Sequence, residues 1–167
     1  TANSEVRYRD WDNLQYWFRA VEKYAPWVNK IHFVTWGHLP EWLNTEHPKL
    51  HIVNHRDYIP EEYLPTFSSH PIELNIHRIP GLSEYFVYFN DDMFLNGAVN
   101  PEFFFRNGKP CDFLRCAPAE FADTTDVYAH ATINAMVKVN YFHSYIKLFL
   151  RRPSKVVNVK YGVLASM

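Results

Sequence analysis

The chain has 167 residues, 47% of them hydrophobic and 17% aromatic, with a formal net charge of −1. That length and apolar share suit one domain with a real core. The balanced charge lacks the basic stripe of a nucleic-acid binder, and no run reaches the ~20 apolar residues of a membrane-spanning helix.

The opening residues, TANSEVRYRD, have no apolar signal-peptide core and read as the interior of a longer protein. Residues 12–25 place Leu14, Trp17, Phe18, Val21 and Ala25 at helical spacing. Asp12 and Gln15 are spaced as a capping box, and Pro26 is the stop. KIHFVTWG is a short apolar run closed by glycine, the pattern of a buried strand. A helical turn at LPEWLN and a second strand at LHIVNH, residues 50–55, follow. Residues 56–68, RDYIPEEYLPTFS, hold two prolines and little periodicity, which reads as a loop. Ser69 is placed to cap the next helix, with Pro71 in its first turn and Ile72, Ile76 and Ile79 on one face. Pro80-Gly81 ends that helix. EYFVYF then reads as a buried strand running straight into Asn90, Asp91 and Asp92.

Further on, EFFFRNGKPCDFL has two β-like runs around Asn107-Gly108, a hairpin signal. From Asp123 to about Leu150 the pattern is helical, and Arg152-Pro153 ends it. Cys111 and Cys116 are not spaced as C-x-x-C and read as reduced, partly buried thiols. The order helix, strand, strand, loop, helix, strand argues for α/β, a mostly parallel central sheet flanked by helices, with a β-hairpin and a C-terminal helical segment. One domain is expected over residues 1–167.

In open α/β sheets, ligands bind beyond the carboxyl ends of the strands, where Asp91 and Asp92 are predicted to sit. Two adjacent carboxylates repel, and a hard divalent cation relieves the repulsion while sharing its other positions with water and phosphate. A strand-terminating turn explains the same residues, and the motif alone leaves both readings open. Arg7 and Arg9, with Asp10, stand just ahead of a helix start and could grip phosphate or simply form surface pairs. Thr66, Ser68 and Ser69 offer hydroxyls at the next helix start, where capping is the plain explanation for Ser69. Glu73 and His77, four apart on one face, form an acid/base pair or an ordinary surface contact. His51 and His55 lie outside any metal-ligand spacing and read as structural or surface histidines. There is no Walker motif, no G-x-G-x-x-G and no G-x-S-x-G.

Several stretches together resemble one family. RYRDWDNLQYWFRAVEKYAPWVNKIHFVTWGHLPEWLN, LPTFSSHPIELNIHRIPGLSEYFVYFNDDMFL and the closing NGKP are similar to the Stealth family of hexose-1-phosphate transferases. That family includes bacterial capsular-polysaccharide phosphotransferases and the animal N-acetylglucosamine-1-phosphotransferase of lysosomal enzyme tagging. The likeness covers about residues 5–115, the family's central block, and its wording is closer to bacterial members; residues 116–167 are then a helical extension.

The resemblance implies a Rossmann-like, nucleotide-sugar-binding fold, a UDP-N-acetylhexosamine donor, and Mg²⁺ or Mn²⁺. A hydroxyl of a polysaccharide or other sugar acceptor would attack the sugar-proximal phosphorus, forming a phosphodiester and releasing UMP. Asp91 and Asp92 match the acidic metal and donor motif, with Asp92 the first candidate and Asn90 beside it. Arg7, Arg9 and Asp10 become phosphate or structural partners, and the loop of Thr66, Ser68 and Ser69 part of the donor pocket. The family's first block and its later blocks, which carry a histidine and arginines, are not within these residues. The expectation is therefore a piece of a larger catalytic domain, inactive alone, from a cytoplasmic or inner-membrane-peripheral enzyme. Two other readings stand beside this one: a metal-dependent glycosyltransferase, which would release UDP, and a non-catalytic carbohydrate-binding or interaction domain.

Overall fold

The helical spacing in residues 12–25 produces helix α1, Leu14–Tyr24, in the computed structural model, which describes residues 11–111 and 127–151. Val21 and Ala25 are buried, and Trp17 and Phe18 are half-buried. The Phe18 ring meets Phe33 at 5.8 Å and Trp42 at 6.0 Å, both near edge-on. Each such aromatic pair contributes about 0.5–1.5 kcal/mol beyond area burial. The capping box does not form. Asn13 holds the N-cap position without a side-chain bond, and Asp12 has a φ of 49°. A capping residue has extended backbone, so Asp12 cannot serve; its carbonyl accepts from Gln15 Nε2 at 3.3 Å instead.

Strands β1, Ile31–Thr35, and β2, Leu50–Asn54, pair in parallel from Ile31↔Leu50 to Thr35↔Asn54. Residues 36–49 make the crossover with turns alone. Lys49 fastens its end, with Nζ donating to the carbonyls of Pro26 (3.0 Å) and Val28 (2.7 Å). Alternate residues of a strand face opposite sides: Phe33 meets α1, while Val34 and Val53 face the core of Tyr58, Ile59, Ile76 and Ile79.

Residues 56–68 are more than a loop. Short 3₁₀ turns occupy His55–Asp57 and Glu61–Tyr63, and Tyr58 and Ile59 between them are buried. Helix α2, Ser69–Asn75, continues into a 3₁₀ turn, Ile76–Arg78, and the Ile72, Ile76, Ile79 face packs as expected. Ser68, not Ser69, holds the N-cap position; its hydroxyl lies 3.2 Å from His70 Nδ1 and makes no cap bond.

The largest departure is the YFVYF segment. Residues 85–89 form no strand, and Tyr85, Phe86, Val87 and Tyr88 are between 38% and 51% exposed. Strand preference expresses fit to a pleated, half-buried neighbour, and among the described residues none pairs with this segment. The sheet there has two strands, β1 and β2, so the described fold is mixed α/β with a small parallel sheet.

Beyond it, Val99 ties the chain back to α1, accepting from Trp27 Nε1 at 2.7 Å and donating to Tyr24 O at 3.0 Å. The hairpin is present but short. A one-turn helix α3, Pro101–Phe104, takes most of the EFFF run, and β3, Phe105–Arg106, pairs antiparallel with β4, Lys109–Pro110. Asn107 and Gly108, with φ of 52° and 70°, supply the turn.

The residues from Cys111 on form a second unit. The helical pattern there gives α4, Val127–Phe142, and α5, Tyr145–Arg151. Cys111 carries its thiol at the surface, not partly buried; Cys116 lies outside the described residues. Among the described residues no helix is long and apolar enough to cross a membrane.

Candidate functional site

Both strands of the parallel sheet end in turns fixed by side chains. After β1, the Thr35 hydroxyl donates to His38 O at 2.8 Å and accepts from Gly37 N–H at 3.2 Å. Gly37 makes this turn possible, since its φ of 121° is one that side-chain-bearing residues rarely adopt. After β2, Asn54 Oδ1 accepts from Arg56 N–H at 3.0 Å, and Asp57 Oδ2 accepts from Asn54 N–H at 2.7 Å. This reciprocal pair is a capping box on the 3₁₀ turn.

The two turns bring Trp36 and His55 together, with ring centroids 5.6 Å apart and planes at 51°. The Arg56 guanidinium lies over the indole at 4.9 Å. Trp36 and His55, with Pro65, Thr66 and Phe67, line an open hollow of about 220 Å³. His55 Nδ1 is enclosed and has no hydrogen-bond partner. Burial pushes the His55 pKa below its ordinary 6.5, so the ring is neutral at pH 7.

Asn90, Asp91 and Asp92 form a tight turn closed by Met93 N–H donating to Asn90 O at 3.2 Å. Both carboxylates are exposed at its centre. Behind them stands Tyr88, whose hydroxyl bonds to Asn90 Oδ1 and also to Glu73. Its pKa is raised, first by desolvation, then by the charges of Glu73 and Asp91, the bond to Glu73, and the charge of Asp92. The phenol is thus protonated and has one proton to share between two acceptors. Next to the hollow, the Tyr58 ring is 6.4 Å from His55, and its hydroxyl donates to Ile72 O at 3.3 Å. Burial, with a smaller contribution from Tyr88, pushes Tyr58 up to about 12.

Of the residues singled out in the sequence, Asn90, Asp91 and Asp92 share the turn, and Thr66 lines the hollow. Ser68, exposed, donates its N–H to Thr66 Oγ1 at 3.4 Å; Ser69 is the first residue of α2 and is exposed. Arg7, Arg9 and Asp10 lie outside the described residues. Glu73 turns to Tyr88 and His77 is exposed, so no acid/base pair forms between them. His51 packs Nδ1 to Nδ1 with His32 at 2.9 Å, and burial, followed by His51 and Lys30, lowers the pKa of His32. His51, read as structural or surface, makes this packing contact, and half-buried His55 lines the open hollow.

Sequence reasoning missed Trp36 and Tyr88. Both sat inside apolar runs taken as strand, where an aromatic residue signals packing before anything else. The glycine after Trp36 was the available clue to a turn. Among the described residues no three His, Cys, Asp or Glu side chains converge on one point. Asp91 and Asp92 alone still fit the way Mg²⁺ is commonly held, by one or two carboxylates with water and substrate phosphate.

Comparison with known proteins adds a second line. The family profile described as Stealth protein CR2, conserved region 2, matches residues 7–112. A capsular polysaccharide phosphotransferase of Streptococcus pneumoniae is 52% identical over 97% of this chain and 48% of its own length. An exopolysaccharide phosphotransferase of Lactiplantibacillus plantarum is 44% identical over 97% of this chain and 48% of its own. A receptor polysaccharide phosphotransferase of Streptococcus gordonii is 51% identical over 80% of this chain and 40% of its own. The chain therefore spans about half the length of the first of these relatives.

Proposed function

The chain belongs to the Stealth family, and from that membership we propose that the protein is a sugar-phosphate transferase of cell-surface polysaccharide synthesis. It moves a hexose-1-phosphate, with N-acetylhexosamine-1-phosphate the leading candidate, from a UDP-sugar to a sugar hydroxyl and releases UMP. The new P–O bond forms to the acceptor oxygen, and the P–O bond to UMP breaks. Its likeness to bacterial polysaccharide phosphotransferases supports a cytoplasmic reaction, at or near the inner face of the membrane.

The observation that carries this reading is the exposed Asp91-Asp92 turn, backed by Tyr88 and Glu73. It occurs in a chain about half identical to polysaccharide phosphotransferases. Asp91 and Asp92 would hold Mg²⁺ or Mn²⁺, which when bound neutralises pyrophosphate charge and eases departure of UMP. Tyr88 and Asn90 keep the turn in shape. Ser68 and Ser69 lie on the donor side, with Thr66 between them and the hollow, and Arg7, Arg9 and Asp10 act on the phosphates or brace them. In this reading the two parallel strands belong to a larger Rossmann-like sheet.

Asp92→Asn in the full-length protein tests the assignment. Transfer of sugar phosphate should fall by a factor of about 10² or more, as expected for losing a group that stabilises developing charge. Unchanged transfer would remove the cation assignment and favour a binding role.

A further inference from the structure

The net charge of −1 hides a segregation. All 18 Asp and Glu residues fall within residues 1–126, whereas residues 127–167 carry six cations, Lys138, Lys147, Arg151, Arg152, Lys155 and Lys160, and no acid. The same stretch supplies α4 and α5, whose apolar side chains stand largely in water. Val137, Tyr141, Ile146 and Leu150 are between 61% and 82% exposed. Single exposed apolar residues need no explanation, but so many in two consecutive helices do.

Their placement is ordered. On α4, Ile133, Val137 and Tyr141 recur every four residues and so form one stripe. Exposed Val139 and Phe142 widen the apolar surface at the end nearest α5 in the chain. On α5, Ile146 and Leu150 make a second stripe, and exposed Lys147 and Arg151 run beside it, one position on. Lys138 is likewise exposed next to Val137. The joint between the helices is fastened on both sides: His143 N–H donates to Val139 O at 2.8 Å, and Lys147 N–H to Ser144 Oγ at 3.4 Å. Neither helix is long and apolar enough to cross a bilayer.

We infer that α4 and α5 form a docking surface for an anionic lipid bilayer, on which they lie and which they do not span. Isoleucine, valine and leucine side chains enter the boundary of the acyl chains, tyrosine sits at headgroup level, and lysine and arginine reach the lipid phosphates. Charge selects this occupant. Six cations without an acid among them are drawn to a negative surface, and each one near it adds to the attraction. A nucleic acid or an acidic protein face would pair with the cations but leave the aliphatic stripes in water. A wholly apolar partner would cover the stripes and give the cations nothing. A bilayer with anionic headgroups satisfies both in the alternation that Ile146, Lys147, Leu150 and Arg151 display.

The inference rests on the transferase reading for one point only, that the membrane is the one at which surface polysaccharide is made. Co-sedimentation of the full-length protein with vesicles tests it and needs neither donor nor acceptor. The probes are mixed phosphatidylglycerol–phosphatidylcholine vesicles and vesicles of phosphatidylcholine alone. Wild type should bind the anionic vesicles, release as salt is raised, and bind phosphatidylcholine far more weakly. Lys147→Gln combined with Arg151→Gln should weaken binding by about 25-fold, about fivefold for each cation. Ile146→Ala combined with Leu150→Ala should weaken it by about tenfold. All four side chains are exposed, so folding tolerates the changes, and circular dichroism checks that the helices persist. Wild type that ignores both kinds of vesicle, or binds them equally, would overturn the inference. So would unchanged binding in either double variant. A dimer in lipid-free solution that the variants abolish, with no vesicle binding by wild type, would make the surface a contact between copies instead. Asp92→Asn should bind vesicles like wild type, and both double variants should transfer sugar phosphate to a soluble acceptor at the wild-type rate. Docking therefore stands or falls separately from the transferase assignment.

Discussion

Replacing Tyr88 by Phe removes one hydroxyl and keeps the ring. That hydroxyl bonds Asn90 at the start of the Asp91-Asp92 turn and Glu73 on α2. Tyr88 is 47% exposed, so the released groups recover water, and the stability loss should stay at or below about 1 kcal/mol. The effect on cation binding should be larger. Groups that orient metal ligands without touching the metal typically account for 10- to 100-fold in affinity, and a single hydrogen-bonded brace on a solvent-exposed turn belongs at the lower end, about tenfold. The assay is a Mn²⁺ titration of full-length wild type and Tyr88→Phe, alongside thermal unfolding of both. A tenfold weaker Mn²⁺ affinity with a thermal midpoint nearly unchanged supports the bracing role. Equal Mn²⁺ affinities would refute it, and a midpoint drop of many degrees with no change in affinity would show Tyr88 to be packing alone.

Other consequences concern the frame beneath the site. Ile76→Ala removes a side chain only 8% exposed in the β1–β2 core and should cost about 3 kcal/mol, read from denaturant unfolding. Gly37→Ala meets no clash, its nearest new neighbour being Asn54 Nδ2 at 3.7 Å, but forces a φ of 121° on a side-chain-bearing residue. The cost should be about 1–3 kcal/mol, read from denaturant unfolding. His32 and His55 both have pKa values lowered from 6.5 by burial. Unfolding lets each take up a proton first, so stability is full above about 6.5 and falls as pH drops below it. Thermal midpoints taken between pH 7.5 and 5.5 should decline, and the decline should be shallower in a His32→Gln, His55→Gln double variant.

Local structure was legible wherever the pattern was local. The α1 period, both parallel strands, the Ile72–Ile79 face and the Asn107-Gly108 turn all follow from spacing and turn chemistry that neighbouring residues settle among themselves. Tyr58 and Ile59 escaped notice because Pro60 and Pro65 flanked or followed them in a stretch without a period, and burial there comes from the distant Val34, Val53 and Ile76. YFVYF misled for the converse reason: its composition is that of a strand, but a strand needs a partner, which is a non-local fact. At the site, Asp91 and Asp92 were visible as a polar interruption of an apolar run. The places of Trp36 and Tyr88 were not, because an aromatic side chain has the same letters in a core as at a strand-end turn. Only the geometry of the strand ends placed Trp36 against His55.

The most direct test of the proposed activity is the nucleotide left over. Full-length protein is incubated with UDP-N-acetylglucosamine, Mg²⁺ and the dephosphorylated polysaccharide of its own strain, and the products are resolved by chromatography. Attack at phosphorus should yield UMP in equal amount to new phosphodiester, with both lowered by about 10² or more in Asp92→Asn. UDP released together with a new glycosidic bond would contradict the account and make the protein a glycosyltransferase.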